Sequence, residues 1–174
     1  YIERSEIIRE KGTDRSKFFR NEVDKYSWVD IGSSFLPSDI LAAFLFGQLE
    51  QRERINQKRE KIWYYYFDSL KNWAKERGIR TPHVPNYCQQ TYHLFYLLMN
   101  DINERDLLIK HLKKNNMMAV FHYLPLHLSK MGKSFGYSYG DCPVTEDLSN
   151  RIIRLPFYTG LDISAINIDI FYDF

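Results

Sequence analysis

Apolar residues recur at helical spacing over an unusually long stretch of this chain. Between Ser38 and Arg77 there is no proline and only one glycine, Gly47, and apolar side chains return every three or four residues. About forty helical residues would span roughly 60 Å, whereas a compact globule of this chain length is roughly 30–40 Å across. The segment at residues 51–56, QRERIN, is almost wholly polar. We therefore predict a bridging helix that is kinked or divided in two near residues 51–56.

The sequence before this helix predicts a helical region without strands. Residues 1–12 have the pattern of a helix that ends at Gly12, and aromatic residues within 13–33 are expected to be buried anchors. The chain opens inside this predicted helix and without methionine, so we expect it to be a piece of a longer protein. After the long helix, Thr81, Pro82 and Pro85 cannot continue a helix, which predicts a domain boundary near residue 80.

The remaining residues, 81–174, have the pattern of a small α+β domain. A continuous apolar run predicts a buried strand at 92–99, and a second strand is predicted at 118–123. A helix capped by Asn103 should lie between them, and a second helix should begin with Thr145 as its N-cap and end near Ile153. A glycine- and tyrosine-rich loop at 132–140 and an amphipathic segment at 163–174 complete the pattern.

Composition and charge narrow the class of protein. The 174 residues are 44% hydrophobic and 26% charged, with a formal net charge of +2, which is typical of a soluble globular protein and gives little support to a nucleic-acid partner. The longest strongly apolar run, at 40–49, is far shorter than the ~20 residues of a membrane-spanning helix, so no membrane partner is expected. Two cysteines in a chain of this size fit a reducing compartment, and we expect a cytoplasmic protein.

Histidine placement suggests one candidate binding region. His122 and His127 form the only close pair of histidines, but Pro125 lies between them and no third ligand has a recognisable metal-binding spacing, so no metal site is predicted. A strand end flanking a rigid Leu-Pro turn could present Tyr123 and His127 into a cleft. Ordinary packing and hydrogen bonding of the same side chains is the other interpretation, and the sequence leaves both open.

A second candidate region precedes the long helix. Gly32, Ser33 and Ser34 stand before the predicted helix start, where free backbone N–H groups and hydroxyls favour an anion such as phosphate. Capping of the helix by Ser34 or Ser38 explains the same residues without any ligand. The pattern alone does not choose between the two.

Five segments together resemble a known family. They are IIREKGTDRSKFF (7–19), WVDIGSSFLPSDILAAFLFGQLEQRERIN (28–56), YHLFYLL (92–98), MAVFHYLPLH (118–127) and LPFYTGL (155–161). In this order they resemble the carboxyl-terminal half of the sugar-nucleotide aminotransferases. Within that family the sequence is most similar to the members that convert dTDP-4-keto-6-deoxy-glucose to dTDP-4-amino-4,6-dideoxygalactose for surface polysaccharides.

The resemblance implies an architecture and a reaction. Family members are α/β enzymes of fold type I, with an aspartate-aminotransferase-like fold, that use pyridoxal 5′-phosphate (PLP). They are homodimers with active sites built from both subunits, and L-glutamate is the usual amino donor to the nucleotide-sugar. Residues 1–80 would then be the helical end of a large PLP-binding domain and residues 81–174 a small α+β domain with a short sheet. Because the first part has no sheet of its own to pack on, we expect it to expose apolar surface and to associate.

The resemblance also implies roles for individual residues. It places Tyr1 shortly after the lysine that binds the cofactor covalently, so no catalytic residue is assigned within the chain, which is expected to be inactive alone. Ser34 stands where many relatives have an asparagine that reaches the cofactor phosphate. Tyr123 would line the sugar site, and His127 would donate to a diphosphate or sugar oxygen. The alternative is a non-catalytic, stand-alone binding or dimerisation module derived from that family.

Overall fold

The structure, a computed structural model, describes residues 1–174 and divides them into two compact units, Tyr1–Arg52 and Glu53–Phe174. The helices are α1 (Ile2–Arg9), α2 (Arg15–Phe19), α3 (Asp39–Glu50), α4 (Arg52–Glu76), α5 (Ile102–Lys114), α6 (Lys130–Ser134), α7 (Pro143–Arg151) and α8 (Asp169–Tyr172). The strands are β1 (Tyr96–Leu98), β2 (Val120–Phe121) and β3 (Ile152–Arg154), and single 3₁₀ turns form at Leu126–Leu128 and Ile163–Ala165.

The predicted break in the long helix is confirmed. Helix α3 ends at Glu50 and α4 begins at Arg52, and the N–H of Gln51 donates to the carbonyl of Gln48 in a tight final turn. The break falls where the apolar stripe of α3 gives way to the polar segment at 51–56, as the pattern predicted.

The division between the compact units lies at Arg52, whereas the sequence placed a domain boundary after residue 80. The physical reason is the packing of α4, because one side of this helix is buried in the same core as the small sheet. Trp63, Tyr66 and Trp73 are at most 4% exposed within that core. The assignment of residues 1–80 to a large domain of a complete enzyme stays a prediction.

A three-stranded antiparallel sheet organises the unit Glu53–Phe174. Strand β3 lies between β1 and β2, and Ile153 is paired opposite Leu97 on one side and Phe121 on the other. Side chains of α4, α5 and α8 complete the core, whose fully buried members include Leu70, Leu108, Leu112 and Phe171. The α+β architecture predicted for this part of the chain is therefore confirmed.

Strand β3 was missed by the sequence analysis, which continued the preceding helix to Ile153. Helix α7 instead ends at Arg151, and the next residue, Ile152, is already extended at φ −77° and ψ 133°. No proline or glycine separates the two elements, so the sequence carries no stop signal there. The two predicted strands are also shorter than expected, at three and two residues.

Two predicted helix caps were wrong. Asp101, not Asn103, caps α5, because its carboxylate accepts the N–H of Glu104 at 2.9 Å and the Glu104 carboxylate accepts the N–H of Asn100 at 2.9 Å. Helix α7 begins at Pro143, so Thr145 lies in its first turn rather than at the cap. The predicted loop at 132–140 contains the last residues of α6, and the final segment holds a 3₁₀ turn and the short α8.

The unit Tyr1–Arg52 is held by backbone contacts and ion pairs rather than by a core. Gly12, at φ +79°, meets Gly32 so closely that a Cβ on Gly32 would stand 1.9 Å from the Gly12 nitrogen. Helix α1 is joined to α2 by the pairs Glu3–Lys17 and Glu6–Arg20. The expected burial of the aromatic residues at 13–33 is wrong: Phe18, Phe19, Tyr26 and Trp28 are all exposed.

Helix α3 carries the largest exposed apolar surface of this unit. None of its residues is buried, and Ile40, Leu41, Phe44, Leu45, Phe46 and Leu49 are each more than half exposed. The prediction of exposed apolar surface in the first part of the chain is confirmed, while its association stays a prediction. No helix of the chain combines the length and the apolar character needed to cross a membrane.

Candidate functional site

The segment that follows β2 turns rigidly and carries both side chains predicted to bind the substrate. Pro125 is buried and fixes the turn at φ −53°, and the 3₁₀ turn Leu126–Leu128 follows it directly. Tyr123 precedes the proline and is 73% exposed, whereas the side chain of His127 is only 10% exposed. The proline thus separates an outward tyrosine from an inward histidine.

Tyr123 lies on the outer face of a shallow groove. The guanidinium carbon of Arg154 is 5.4 Å from the centre of the Tyr123 ring. The centres of the Tyr123 and His122 rings are 5.1 Å apart. The groove has a volume of about 200 Å³ and is also bordered by Arg105 and Pro125. An exposed aromatic ring next to the Arg154 guanidinium can bind a ligand that combines a ring with a negative charge.

His127 is joined to a buried carboxylate. Its Nε2 lies 2.8 Å from Oε1 of Glu146, and the Glu146 side chain is 3% exposed. The same carboxylate accepts the N–H of Gly140 at 2.9 Å and the N–H of Cys142 at 3.3 Å. Three segments of the chain, the 3₁₀ turn, the loop after α6 and the start of α7, therefore meet at Glu146.

The protonation of Glu146 follows from these contacts. Burial raises the pKa of this carboxyl, but the hydrogen bonds from His127, Gly140 and Cys142 outweigh burial and hold the pKa below its usual value of 4.5. Glu146 is consequently an ionised, acceptor-only group near neutral pH. The Nε2 atom of His127 must therefore carry the proton of their shared hydrogen bond.

Gly132 fixes the backbone of the histidine turn. A Cβ built on Gly132 would stand 2.3 Å from the carbonyl oxygen of Leu126 and 2.5 Å from that of His127, so only glycine allows α6 to approach this closely. Helix α6 is capped by Ser129, whose hydroxyl accepts the N–H of Gly132 at 3.0 Å. The backbone of His127 is thus positioned by Gly132, and its side chain by Glu146.

Ser34 belongs to the other unit, and its predicted place at a helix entrance is wrong. Helix α3 begins at Asp39 with Ser38 as its N-cap, whose hydroxyl accepts the N–H of Leu41 at 3.4 Å. Ser34 lies four residues earlier, exposed, and pairs with Glu10 in an isolated β-bridge. The N–H of Ser33 is taken by the carbonyl of Ile8. A contact of Ser34 with a phosphate stays a prediction based on the family resemblance.

Tyr123 and His127, the two residues predicted to bind the substrate, do not line one cavity in the structure. The groove beside Tyr123 does not include His127, which faces Glu146. Glu146 itself was missed by the sequence analysis. Its position in the first turn of α7 could have indicated it. A carboxylate in the first turn of a helix often accepts the N–H groups near the helix start.

Other site chemistry is limited. No three histidine, cysteine, aspartate or glutamate side chains are grouped so as to hold a metal ion. Cys88 and Cys142 are free thiols. The buried side-chain nitrogens without a hydrogen-bond partner belong to Trp73, His122 and Arg154.

Comparison with curated sequences identifies several relatives. An uncharacterized protein of Methanocaldococcus jannaschii is 32% identical over 164 residues, which cover 90% of this chain and 42% of that protein. The dTDP-3-amino-3,6-dideoxy-alpha-D-galactopyranose transaminase of Aneurinibacillus thermoaerophilus is 23% identical, over 88% of this chain and 38% of its own length. The UDP-4-amino-4-deoxy-L-arabinose–oxoglutarate aminotransferase of Shewanella sediminis is 26% identical, over 79% of this chain and 37% of its own length. The chain thus spans about two fifths of the length of the relatives it matches.

Solved structures agree with these relatives and confirm the fold class. DesV of S. venezuelae matches with a TM-score of 0.79 at 24% identity, over 96% of this chain and 42% of its own. An aminotransferase of Brucella abortus matches with a TM-score of 0.71 at 27% identity, over 91% of this chain and 42% of its own. The family model of the DegT/DnrJ/EryC1/StrS aminotransferases matches residues 1–168. This chain therefore belongs to the DegT/DnrJ/EryC1/StrS aminotransferase family.

Proposed function

We propose that residues 1–174 form the carboxyl-terminal portion of a PLP-dependent aminotransferase that acts on a nucleotide-sugar. The amino group would pass from L-glutamate to the 4-keto carbon of a dTDP-linked 4-keto-6-deoxy sugar, in the cytoplasm, and the enzyme would be a homodimer. The match of residues 1–168 to the aminotransferase family carries this proposal. Relatives named for dTDP-linked and UDP-linked amino sugars support a nucleotide-sugar as the acceptor.

The residues proposed to bind the substrate are Tyr123 and His127. Tyr123 offers an exposed ring with a hydroxyl beside the Arg154 guanidinium, which suits the stacking and charge of a nucleotide-sugar. His127 offers an imidazole whose Nε2 is already bonded to Glu146, so Nδ1 is the atom available to a sugar or diphosphate oxygen. Their role is to bind and orient the sugar so that its keto carbon reaches the cofactor.

The residues of this chain are suited to contact only the phosphate group of the proposed cofactor. The Ser34 hydroxyl is exposed and has no partner within the chain, so it is available to a phosphate oxygen. Every lysine except Lys17 is exposed, and Lys17 is paired with Glu3. Glu146, the one buried acid, is bonded to His127 and is not available to pair with a pyridinium nitrogen. We therefore assign only the phosphate contact to this chain. When bound, PLP supplies the electron sink for the amino-bearing carbon.

Structures of Spr1654 of Streptococcus pneumoniae in a PLP form and a PMP form support this choice of cofactor. A chemical test has a readout besides activity. The gene product that contains these residues, and the 174-residue chain alone, are incubated with PLP and reduced with borohydride, and labelled lysines are mapped. We expect one labelled lysine outside residues 1–174. A stoichiometric label on a lysine within Lys11 to Lys133 would contradict the assignment.

The substrate is tested by direct amination. The same gene product is incubated with L-glutamate and, in separate reactions, a dTDP-4-keto-6-deoxy sugar, a dTDP-3-keto-6-deoxy sugar and a UDP-4-keto pentose, and products are identified by mass spectrometry. We expect the dTDP-4-keto sugar to be aminated fastest. Faster amination of either competitor would reassign the substrate. Nucleotide-sugar binding without any amination would favour a non-catalytic module.

A further inference from the structure

Glu146 is the one buried charged residue of the chain, and its carboxylate has three hydrogen-bond donors around it. Its carboxylate accepts hydrogen bonds from His127, Gly140 and Cys142, at 2.8 to 3.3 Å. Replacing a buried charge by a well-packed apolar side chain is often neutral or stabilising, so a buried charge is weak evidence for stability alone. The donors that surround Glu146 point to a positional role.

The two nitrogens of His127 have different surroundings. Nε2 faces the Glu146 carboxylate, whereas Nδ1 makes no hydrogen bond within the chain. Nδ1 is not fully buried, although the His127 side chain as a whole is only 10% exposed. The ring is therefore bonded to the protein by one nitrogen and leaves the other unbonded and partly accessible.

We propose that Glu146 is the positioning residue of His127. Accepting the Nε2 proton fixes the ring orientation and tautomer, and leaves Nδ1 as the atom that meets the ligand. In the neutral ring Nδ1 accepts a hydrogen bond from a sugar hydroxyl, and in the protonated ring it donates to a diphosphate oxygen. Only the identity of the ligand in this inference rests on the proposed function.

Glutamine can replace Glu146 only partly in this role. Oε1 accepts from His127, Gly140 and Cys142, whereas Oε2 accepts only the Gly140 N–H, at 3.0 Å. In E146Q one oxygen becomes an NH₂ group. At the Oε1 position that group faces the His127 Nε2–H, and a donor meets a donor. At the Oε2 position it leaves an amide oxygen for His127, and a neutral amide oxygen is a weaker acceptor than a carboxylate.

The first experiment measures the histidine directly. In ¹⁵N-labelled chain, two-bond ¹H–¹⁵N correlation spectra report which ring nitrogen of His127 is protonated. We expect the Nε2–H form in the wild type and a mixture of tautomers in E146Q. The matched control is E104Q, because Glu104 also accepts a backbone N–H but lies on α5 without contact to His127. A wild-type Nδ1–H tautomer, or an E146Q spectrum identical to wild type, would overturn the proposal.

The second experiment separates positioning from general structure. Thymidine diphosphate is titrated into wild type, E146Q, H127Q and the double variant, with binding followed by calorimetry. We expect about tenfold weaker binding in either single variant, and no further weakening in the double variant, because Glu146 acts through His127. Additive losses would show that Glu146 acts independently and would refute the positioning role.

The two experiments distinguish the failure of each idea. If wild type binds no thymidine diphosphate while the His127 tautomer depends on Glu146, the ligand assignment of the proposed function fails and the positioning of His127 stands. If the tautomer does not depend on Glu146, the positioning role fails whatever binds.

Discussion

Substitution of Gly132 by alanine tests whether the backbone of the histidine turn is fixed as the structure indicates. The added Cβ would lie 2.3 Å from the Leu126 oxygen and 2.5 Å from the His127 oxygen, and real Cβ contacts do not fall below 3.0 Å. The turn must therefore move by roughly 0.7 Å even to reach that limit. Both obstructing atoms belong to the backbone, so no side-chain rotation can relieve the contact.

The magnitude follows from two opposing effects. Overpacking of this kind costs about 1–3 kcal/mol, whereas alanine in place of a helical glycine contributes about 0.5–1 kcal/mol of stability. We expect Gly132→Ala to lower the free energy of unfolding by about 1–2 kcal/mol, and the melting temperature by about 2–8 °C. The assay is thermal unfolding of the full chain by circular dichroism, with the His127 ring signals followed by NMR.

The control is Gly47→Ala in α3, where a Cβ would meet no atom within 4 Å. There the helix-propensity gain of about 0.5–1 kcal/mol stands alone, so slower hydrogen exchange of α3 amides is expected. If Gly132→Ala were as stable as wild type and left the His127 signals unchanged, the close approach of α6 to the histidine turn would be refuted.

Three further predictions concern the core, a cap and the buried acid. Leu70→Ala should lower the free energy of unfolding by about 2–5 kcal/mol in urea titrations, because Leu70 is fully buried, and a loss below about 1 kcal/mol would place Leu70 outside the core. Asp101→Ala should cost about 0.5–2 kcal/mol and Asn103→Ala less than about 0.5 kcal/mol, so equal losses would contradict the observed cap. Burial raises the pKa of Glu146, but its hydrogen bonds lower the folded-state pKa below 4.5, so the stability it contributes is complete above about pH 4.5 and is lost as the pH falls further. Below about pH 4.5 the unfolding free energy of E146Q should therefore fall less steeply with decreasing pH than that of the wild type. Equal slopes for the two proteins would contradict an ionised Glu146.

The sequence predicted helices correctly where the helical spacing of apolar residues continues over many turns. The break at Gln51 followed from a polar segment inside an apolar repeat, and the local signal was sufficient because solvated and packed helix faces differ in composition. The first part of the chain was correctly expected to expose apolar surface, since it has no sheet of its own to pack on. The competing expectation that the aromatic residues at 13–33 are buried anchors was wrong, because residue type alone predicts burial whether or not a core is present.

Elements decided by tertiary contacts were not predictable in the same way. Strand β3 continues directly from α7 and exists because Ile153 pairs with both neighbouring strands, which are distant in sequence. Likewise, the sequence singled out His127 but not Glu146, whose role depends on a loop that folds back onto it. Hydrogen-bond partners 19 residues apart leave no periodic signal. The family resemblance supplied the fold class, which periodicity alone does not determine.

The most direct test of the account is the steady-state kinetics of His127→Gln in the gene product that contains this chain. Glutamine can still donate to Glu146, so the fold is expected to be retained, while the Nδ1 atom offered to the nucleotide-sugar is removed. We predict that the KM for the dTDP-4-keto-6-deoxy sugar rises by about tenfold or more, with a melting temperature close to wild type. An unchanged KM in a folded, active variant would contradict the claim that His127 binds the substrate.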